Sequence, residues 1–329
     1  MAVSSPRPVE HFREKTTSFL RDLASHSPAL RAIYFYDAAT EGRLVNLDRD
    51  ILLEKKNSPL KGAVYKFHGR ILILLSYTCA ANCRFCERQD RVGVGLDSEG
   101  RLRPEDIVAI TELIQERKEI NEVILSGGDP LTHPAGMRLI CSLLAKVPNI
   151  KILRIHTRLP VQQPTFVDLD LLRAISEMFR TCYLSVHIDH PDELTPETEE
   201  VLLSIRRLGF ILLAQTVFLK GVNDKAATLA RLFSRLSELG IRPYYIYHCQ
   251  AIPTTMHFVM SLEDEIAIMT ALREILSGVA FPQHVIDIQR ARGKIVVPTS
   301  HWLVDTAKFR DFDGNWLDAE ERLMHSHED

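Results

Sequence analysis

Three cysteines lie within eight consecutive positions, Cys79-Ala-Ala-Asn-Cys83-Arg-Phe-Cys86. Their spacing lets three thiolates face a metal centre and leaves one coordination position open. A structural zinc site would need a fourth protein ligand, and the chain has no second CxxC pair. A catalytic zinc and a chance grouping of cysteines are the alternatives. An iron–sulfur cluster with one iron free of protein fits the pattern best, because thiolates hold such clusters.

Strands and helices alternate around this loop. The run Arg70–Ser76 is predicted as a buried strand and residues 104–119 as a helix with Pro104 in its first turn. Further strands are predicted at 122–126, 151–156, 182–187, 210–217, 243–247 and 284–288, and further helices near 135–147, 168–180, 196–208, 225–239 and 261–277. Strands separated by single helices imply parallel pairing, in a doubly wound sheet or a barrel.

Polar residues at the ends of these strands favour the barrel. They are Cys79, Asp129, His156, Arg158, His187, Gln215, His248, Gln250 and Asp287. In a (β/α) barrel such ends converge on one mouth, whereas an open sheet would leave the outer ones far apart. We therefore predict an α/β fold, a full or partial TIM-like barrel over residues 61–298. A helical or irregular extension over 1–60 precedes it, and a tail over 299–329 follows.

Composition excludes several classes of protein. The 329 residues are 46% hydrophobic and 25% charged, with a formal net charge of −3, so we expect a folded globular protein. This balance argues against nucleic acid as a partner. The sequence shows no signal peptide and no membrane-spanning run, and Cys141, Cys182 and Cys249 lie singly in apolar surroundings. We expect a soluble, cytoplasmic protein with reduced cysteines.

The cysteine motif resembles the signature of the radical S-adenosylmethionine (SAM) superfamily, CxxxCxxC with an aromatic residue, Phe85, before the last cysteine. The resemblance implies a partial barrel in which Cys79, Cys83 and Cys86 hold a [4Fe–4S] cluster that binds SAM. It extends to Ser126-Gly127-Gly128-Asp129, where the superfamily surrounds the methionyl amine, and two glycines there would let a ligand approach the backbone. His187 and Gln215 stand where SAM would be contacted, although either residue could simply bond within the barrel mouth.

One branch, the lysine 2,3-aminomutase family with its elongation factor P lysine aminomutases, is similar from about Tyr65 to Pro298. The stretches that carry the likeness include Lys66-Phe-His-Gly-Arg70, Leu125–Leu131, Arg154–Pro160, His187–Pro191, Gln215–Asp224 and Pro243–Tyr247. The family also uses pyridoxal phosphate (PLP). The resemblance implies that Lys294 binds the PLP aldehyde, that Arg70 and Lys66 hold its phosphate, and that Arg88 pairs with the substrate carboxylate. As bare sequence features, these residues would be surface charges.

The match departs from the family at the position that sets the substrate. Lysine enzymes hold the distal ammonium group with two acids; Asp287 matches one, but the other falls at the neutral Gln250. Lysine, another basic or diamino acid, or a neutral polar amino acid therefore remain open as substrates, and Asp287 could instead orient Arg290 or Arg292. The C-terminal cysteines that form a zinc site in some relatives are missing. We expect no structural zinc and a simpler homo-oligomer.

The resemblance implies an isomerase that moves the α-amino group of a small amino acid to its β-carbon, with electrons from a flavodoxin- or ferredoxin-type donor. A second interpretation is an aminomutase that acts on a translation factor. A third is a barrel hydrolase with a metal held by His156, His187 and His248, and a fourth is an iron–sulfur electron carrier without enzyme activity.

Overall fold

A computed structural model describes residues 12–41, 50, 52–92, 100–288, 293–299, 308–310 and 316–318. Nine strands form one sheet in which spatial order equals chain order. They are β1 (Ala63–Phe67), β2 (Arg70–Ser76), β3 (Glu122–Gly127), β4 (Ile152–Thr157), β5 (Cys182–His187), β6 (Ile211–Val217), β7 (Arg242–Tyr247), β8 (Gln283–Ile288) and β9 (Gly293–Val296). Strands β2 to β8 are parallel, whereas β1 and β9 pair antiparallel at the two edges. A separate hairpin joins β10 (Lys308–Arg310) and β11 (Trp316–Asp318).

The helices connect these strands and precede them. They are α1 (Ser18–His26), α2 (Pro28–Tyr34), α3 (Ala38–Glu41), α4 (Pro104–Glu116), α5 (Pro134–Leu144), α6 (Leu159–Gln162), α7 (Leu169–Met178), α8 (Pro196–Arg207), α9 (Ala226–Glu238) and α10 (Leu262–Ile275). Short polar side chains begin several of them; for example, Ser261 accepts a hydrogen bond from the Asp264 amide at 3.1 Å. None of the described helices is long and apolar enough to cross a membrane.

Successive side chains along each strand point to opposite faces of the sheet. In β2, Ile71, Ile73 and Leu75 are fully buried and belong to the core cluster that includes Ile107 and Ile110 of α4. The intervening Leu72 lines a cavity on the other face. The helices therefore cover one face of the sheet, and the opposite face is left to enclose a site.

The sheet curls into a partial barrel. A single cavity is lined by side chains from all nine strands, from Lys66 on β1 to Lys294 on β9, which a flat open sheet could not achieve. Among the described strands β1 and β9 do not pair with each other, so the barrel is open along that seam. The predicted partial barrel is confirmed, and all seven predicted strands form within about two residues of their expected ends. The two antiparallel edge strands were not predicted.

Helices α1 and α2 lie over the mouth of the barrel. Leu20, Leu30 and Ile33 form an apolar cluster with Ala81 and Phe85 of the cysteine loop, and Leu219 and Phe258 join the same cluster from the loops beyond β6 and β7. The N-terminal segment thus packs against the cysteine loop.

Candidate active site

The barrel mouth encloses a cavity of about 350 Å³. Cys79, Cys83 and Cys86 line it together with Lys294 and Asp287. The sheet topology explains this meeting, because the carboxyl ends of parallel strands open onto the same edge of the barrel.

The cysteine loop is held by the N-terminal segment. Lys15 Nζ donates to the Cys79 carbonyl at 2.6 Å, the Asn82 amide donates to the Lys15 carbonyl at 2.8 Å, and the Arg84 amide donates to the Ile33 carbonyl at 2.8 Å. These bonds hold the backbone of the loop, and its three cysteines line the cavity.

The thiols fit a multi-iron cluster better than a single metal ion. The described residues contain no set of three His, Cys, Asp or Glu side chains placed around one ion. In a [4Fe–4S] cluster each thiolate binds a separate iron, so the sulfurs need not converge on one point. Burial raises the pKa of Cys83 to about 12 and that of Cys86 to about 11, so these thiols need a cationic centre to be deprotonated.

The lack of a three-ligand set among the described residues also argues against a hydrolase metal held by His156, His187 and His248. His248 Nδ1 lies 2.9 Å from Glu265, which also contacts His284 Nε2 at 2.8 Å, so this ring belongs to a buried side-chain network. His156 lies 3.4 Å from the amide nitrogen of Gln215, and burial lowers its pKa well below the usual value.

The Ser126–Asp129 turn begins in the last two residues of β3, and all four of its residues line the cavity. Its glycines have a structural role in addition to the expected access for a ligand. A Cβ atom on Gly127 would overlap the Ser76 carbonyl, and one on Gly128 would lie 2.5 Å from the Thr78 carbonyl oxygen. The glycines therefore allow this turn to approach the chain that leads into the cysteine loop.

The Asp129 carboxylate is bonded within the protein. It accepts hydrogen bonds from the Thr157 hydroxyl at 2.9 Å and from the amides of Leu131, Arg158 and Leu159 at 2.7 to 3.0 Å. Asp129 therefore fixes the ends of β3 and β4 relative to each other. Arg158 is similarly engaged, with Asp189 at 2.5 Å and Glu193 at 2.6 Å.

Phe85, His187 and Gln215 are brought together beside the cysteines. The rings of Phe85 and His187 lie 5.4 Å apart, and His187 Nε2 is 3.3 Å from Asp189 Oδ1. The Gln215 amide donates to the Ser185 hydroxyl at 2.6 Å. All three expected residues line the cavity, so an aromatic face and polar groups are available there to a ligand.

Lys294 lies on β9, opposite Asp287 of β8 in the antiparallel register. Its ammonium group contacts Asp287 Oδ2 and lies 4.8 Å from the centre of the Tyr247 ring. Across the open seam, Lys66 and Arg70 flank the Phe67 ring at 5.2 Å and 4.5 Å. Burial lowers the pKa of Lys66, although the nearby Asp287 opposes this shift.

Arg88 is held in the cavity wall by Glu54, whose carboxylate accepts from Nη2 at 2.6 Å and from Nε at 3.0 Å. A third group, the Glu87 carboxylate, lies 3.5 Å from Nη2. Glu87 also lines the cavity, and burial raises its pKa. Two acids thus face the arginine that is expected to bind a substrate carboxylate.

Gln250 and Asp287 are neighbours, as the sequence interpretation required. The Gln250 amide donates to the Asp287 backbone carbonyl at 3.0 Å, and both residues line the cavity. Arg290 and Arg292, the alternative partners of Asp287, lie outside the described residues.

Comparison with known proteins identifies the family. A profile of the radical SAM superfamily matches residues 73–233. The L-lysine 2,3-aminomutase of Buchnera aphidicola subsp. Baizongia pistaciae is 33% identical over 253 residues, which cover 77% of this chain and 73% of that protein. The chain belongs to the lysine 2,3-aminomutase family of radical SAM enzymes. The L-lysine 2,3-aminomutase of Escherichia coli is 33% identical over 70% of this chain and 67% of that protein. A putative L-lysine 2,3-aminomutase of Aquifex aeolicus is 31% identical over 73% of this chain and 65% of that protein.

Membership of this family implies SAM and a [4Fe–4S] cluster, and the three cysteines that line the cavity fit such a cluster. The donor set at the other end of the cavity fits PLP. A lysine amine, two cationic side chains at the opposite edge and the aromatic rings of Tyr245 and Tyr247 line one space. Asp287 Oδ1 is buried and has no hydrogen-bond partner among the described residues, so it can accept a bond from a ligand amine.

Several residues that line or support the cavity were not identified from the sequence. Glu87 stands between two predicted site residues, Cys86 and Arg88, and that position was the available signal. Glu54 and Gln162 come from segments without any chemical motif, so their contacts with Arg88 and Cys83 depend on tertiary folding.

Proposed function

We propose that this protein is a SAM- and PLP-dependent amino acid 2,3-aminomutase, an isomerase that moves an α-amino group to the adjacent β-carbon. One observation carries the proposal: the cysteine trio and the Lys294–Asp287 pair line the same cavity. A radical generated beside the cysteines can act on a substrate held by the lysine only if both ends share one enclosed space.

SAM and the cluster would supply a radical that takes a hydrogen atom from the substrate, and PLP would supply a conjugated system for the migrating nitrogen. The chain's own residues prepare the lysine. Lys294 Nζ contacts Asp287 Oδ2, which can accept the proton that the amine must lose before it attacks an aldehyde. Tyr247 covers the ammonium group from the side of β7. Lys66 and Arg70 would hold the phosphate across the seam.

Arg88 would bind the substrate carboxylate. Glu54 engages Nε and Nη2, so Nη1 would hold the substrate while the bidentate contact fixes the guanidinium plane. This arrangement orients the substrate without requiring the arginine to leave its ion pair.

Two carboxylates support a basic substrate. Asp287 and Glu87 line the cavity, and the charge of each carboxylate acts on Lys66. We therefore infer that Glu87 compensates for the neutral Gln250, and that the substrate is a diamino acid such as lysine or ornithine. The reductant would be a flavodoxin- or ferredoxin-type protein, and the reduced cysteines suit the cytoplasm.

The test is an anaerobic screen. The protein is reconstituted with iron, sulfide and PLP, supplied with SAM and a chemical reductant, and offered each of the twenty amino acids and ornithine. Chromatography with mass detection should reveal a β-isomer of a diamino acid, and Lys294→Ala should abolish it while Lys151→Ala, on the exposed side of the barrel, should not. Deoxyadenosine without an isomer would refute a free amino acid substrate and favour a lysine of a translation factor. Absence of both products would refute the aminomutase proposal.

A further inference from the structure

Gln162 connects three parts of the molecule at the cysteine loop. It is the last residue of α6, and its side chain is almost fully buried, with 1% of the residue exposed. Its backbone carbonyl accepts a hydrogen bond from the Thr17 hydroxyl at 2.7 Å, and Thr17 caps α1. A buried amide must satisfy its own polar atoms inside the protein, so its bonds are informative.

The side-chain amide pairs with the backbone of Ala81. Gln162 Oε1 accepts from the Ala81 amide at 3.2 Å, and Nε2 donates to the Ala81 carbonyl at 3.0 Å. This reciprocal pair fixes which end of the amide is nitrogen, because the reversed orientation would place two donors and two acceptors against each other. Ala81 lies between the first two cysteines, so the pair holds that part of the loop.

The second hydrogen of the amide points at a cysteine. Nε2 lies 3.5 Å from Cys83 Sγ, within the range of an N–H···S hydrogen bond. Hydrogen bonds to the sulfurs of an iron–sulfur cluster help to set its reduction potential, because the donor dipole stabilises the charge that the added electron brings.

We propose that Gln162 is a positioning residue of the cluster that also makes the cluster easier to reduce, through its hydrogen bond to the Cys83 thiolate. The inference rests on the proposed cluster site. One electron from an external low-potential donor enters the cluster, and the Gln162 amide stabilises the reduced form without exchanging a proton. A residue outside the cysteine motif thus adjusts the electron transfer to SAM.

The test compares Gln162→Met and Gln162→Glu with the wild type and with Gln163→Met. Methionine keeps the length of the side chain and removes the donor, whereas glutamate keeps an acceptor for the Ala81 amide. Gln163 is a matched control, because its amide donates to the Thr165 hydroxyl and not to the cysteine loop. Iron and sulfide content report cluster loading, and titration of the reduced cluster's paramagnetic signal reports its midpoint potential.

At the wild-type midpoint, we expect the ratio of reduced to oxidised cluster to fall about tenfold in the Gln162 variants, which for one electron corresponds to about 59 mV. Gln163→Met should match the wild type. Lower cluster loading with an unchanged potential would overturn the proposal, since it would show a purely structural role. If neither variant holds a cluster, the wild type is labelled with ¹⁵N-glutamine and its reduced cluster is studied by hyperfine spectroscopy in H₂O and D₂O. The proposal requires an exchangeable proton of a glutamine amide close to the cluster, and its absence would overturn the proposal. A wild type that binds no cluster would refute the proposed function instead.

Discussion

A buried ion pair should control the stability of the cysteine loop. Arg84, between Cys83 and Phe85, is fully buried, and its guanidinium is paired with Glu41 of α3. Nε lies 2.8 Å from Glu41 Oε1, and Nη1 donates to the Phe12 carbonyl at 2.8 Å. The perturbation is Glu41→Gln, which keeps the shape of the side chain and removes its charge.

The expected cost follows from this burial. Removing one partner leaves a guanidinium charge without compensation in a site shielded from water, which typically costs about 3–5 kcal/mol of unfolding free energy. For a protein of this size, each kcal/mol lowers the melting temperature by about 2 °C, so Glu41→Gln should lower it by about 6–10 °C. Replacing both partners with methionine should cost far less, because no charge remains buried.

Urea and thermal unfolding of the apo-protein, followed by circular dichroism, measure these costs without a contribution from the cluster. The matched control is Glu200→Gln, which breaks the exposed pair of Glu200 with Arg207 and should cost less than about 1 kcal/mol. If Glu41→Gln costs no more than this control, the buried charge is compensated by other groups and the reasoning is wrong.

Three further outcomes are expected. Lys294→Ala should abolish the visible absorption of bound PLP, whereas Lys66→Ala should weaken PLP affinity but retain that absorption; an unchanged spectrum in Lys294→Ala would contradict the assignment. Glu87→Gln should raise KM for a diamino acid about 10- to 100-fold, since a hydrogen bond to a charged group contributes about 1.5–3 kcal/mol, and an unchanged KM would remove Glu87 from the substrate site. Burial lowers the pKa of His156, so stability should fall below about pH 6.5 as the unfolded chain takes up protons first. Between pH 7 and 5.5, the free energy of unfolding should change less steeply with pH in His156→Gln than in the wild type, by up to about 1.4 kcal/mol per pH unit. An equal slope in the two proteins would exclude His156 as a cause of the pH dependence.

The sequence was sufficient for the parallel part of the sheet because each strand there buries apolar residues against the helices and is separated from the next strand by a helix. The edge strands lack both features. β1 and β9 have five and four residues and pair antiparallel with their neighbours. The turn at Gly69, with φ of 80°, was a local signal for the β1–β2 hairpin. Lys294 therefore lies on a strand that was not predicted from the sequence.

The residues of the site divide in the same way. Residues in a motif, such as the three cysteines, could be found because their spacing alone implies a shared ligand. Glu54 and Gln162 could not, since 34 and 79 positions separate them from Arg88 and Cys83. The sequence pointed to the glycines of the Ser126–Asp129 turn for ligand access, which stays a prediction, whereas their close packing against a second chain segment could be seen only in the structure.

The strands lie in the sheet in the same order as in the chain, so the sheet can grow from one edge during synthesis on the ribosome. The hydrogen bonds of the cysteine loop reach back to Phe12 and forward to Gln162, so they can form before the strands from β5 onward exist. The apolar contacts of the loop with Leu219 and Phe258 form later. Lys294 follows Gln162 by roughly 130 residues. At translation rates of about 5–20 residues per second, the delay is on the order of ten seconds. The nascent chain therefore presents its oxygen-sensitive thiols well before the lysine that completes the cavity, and early cluster loading would protect them.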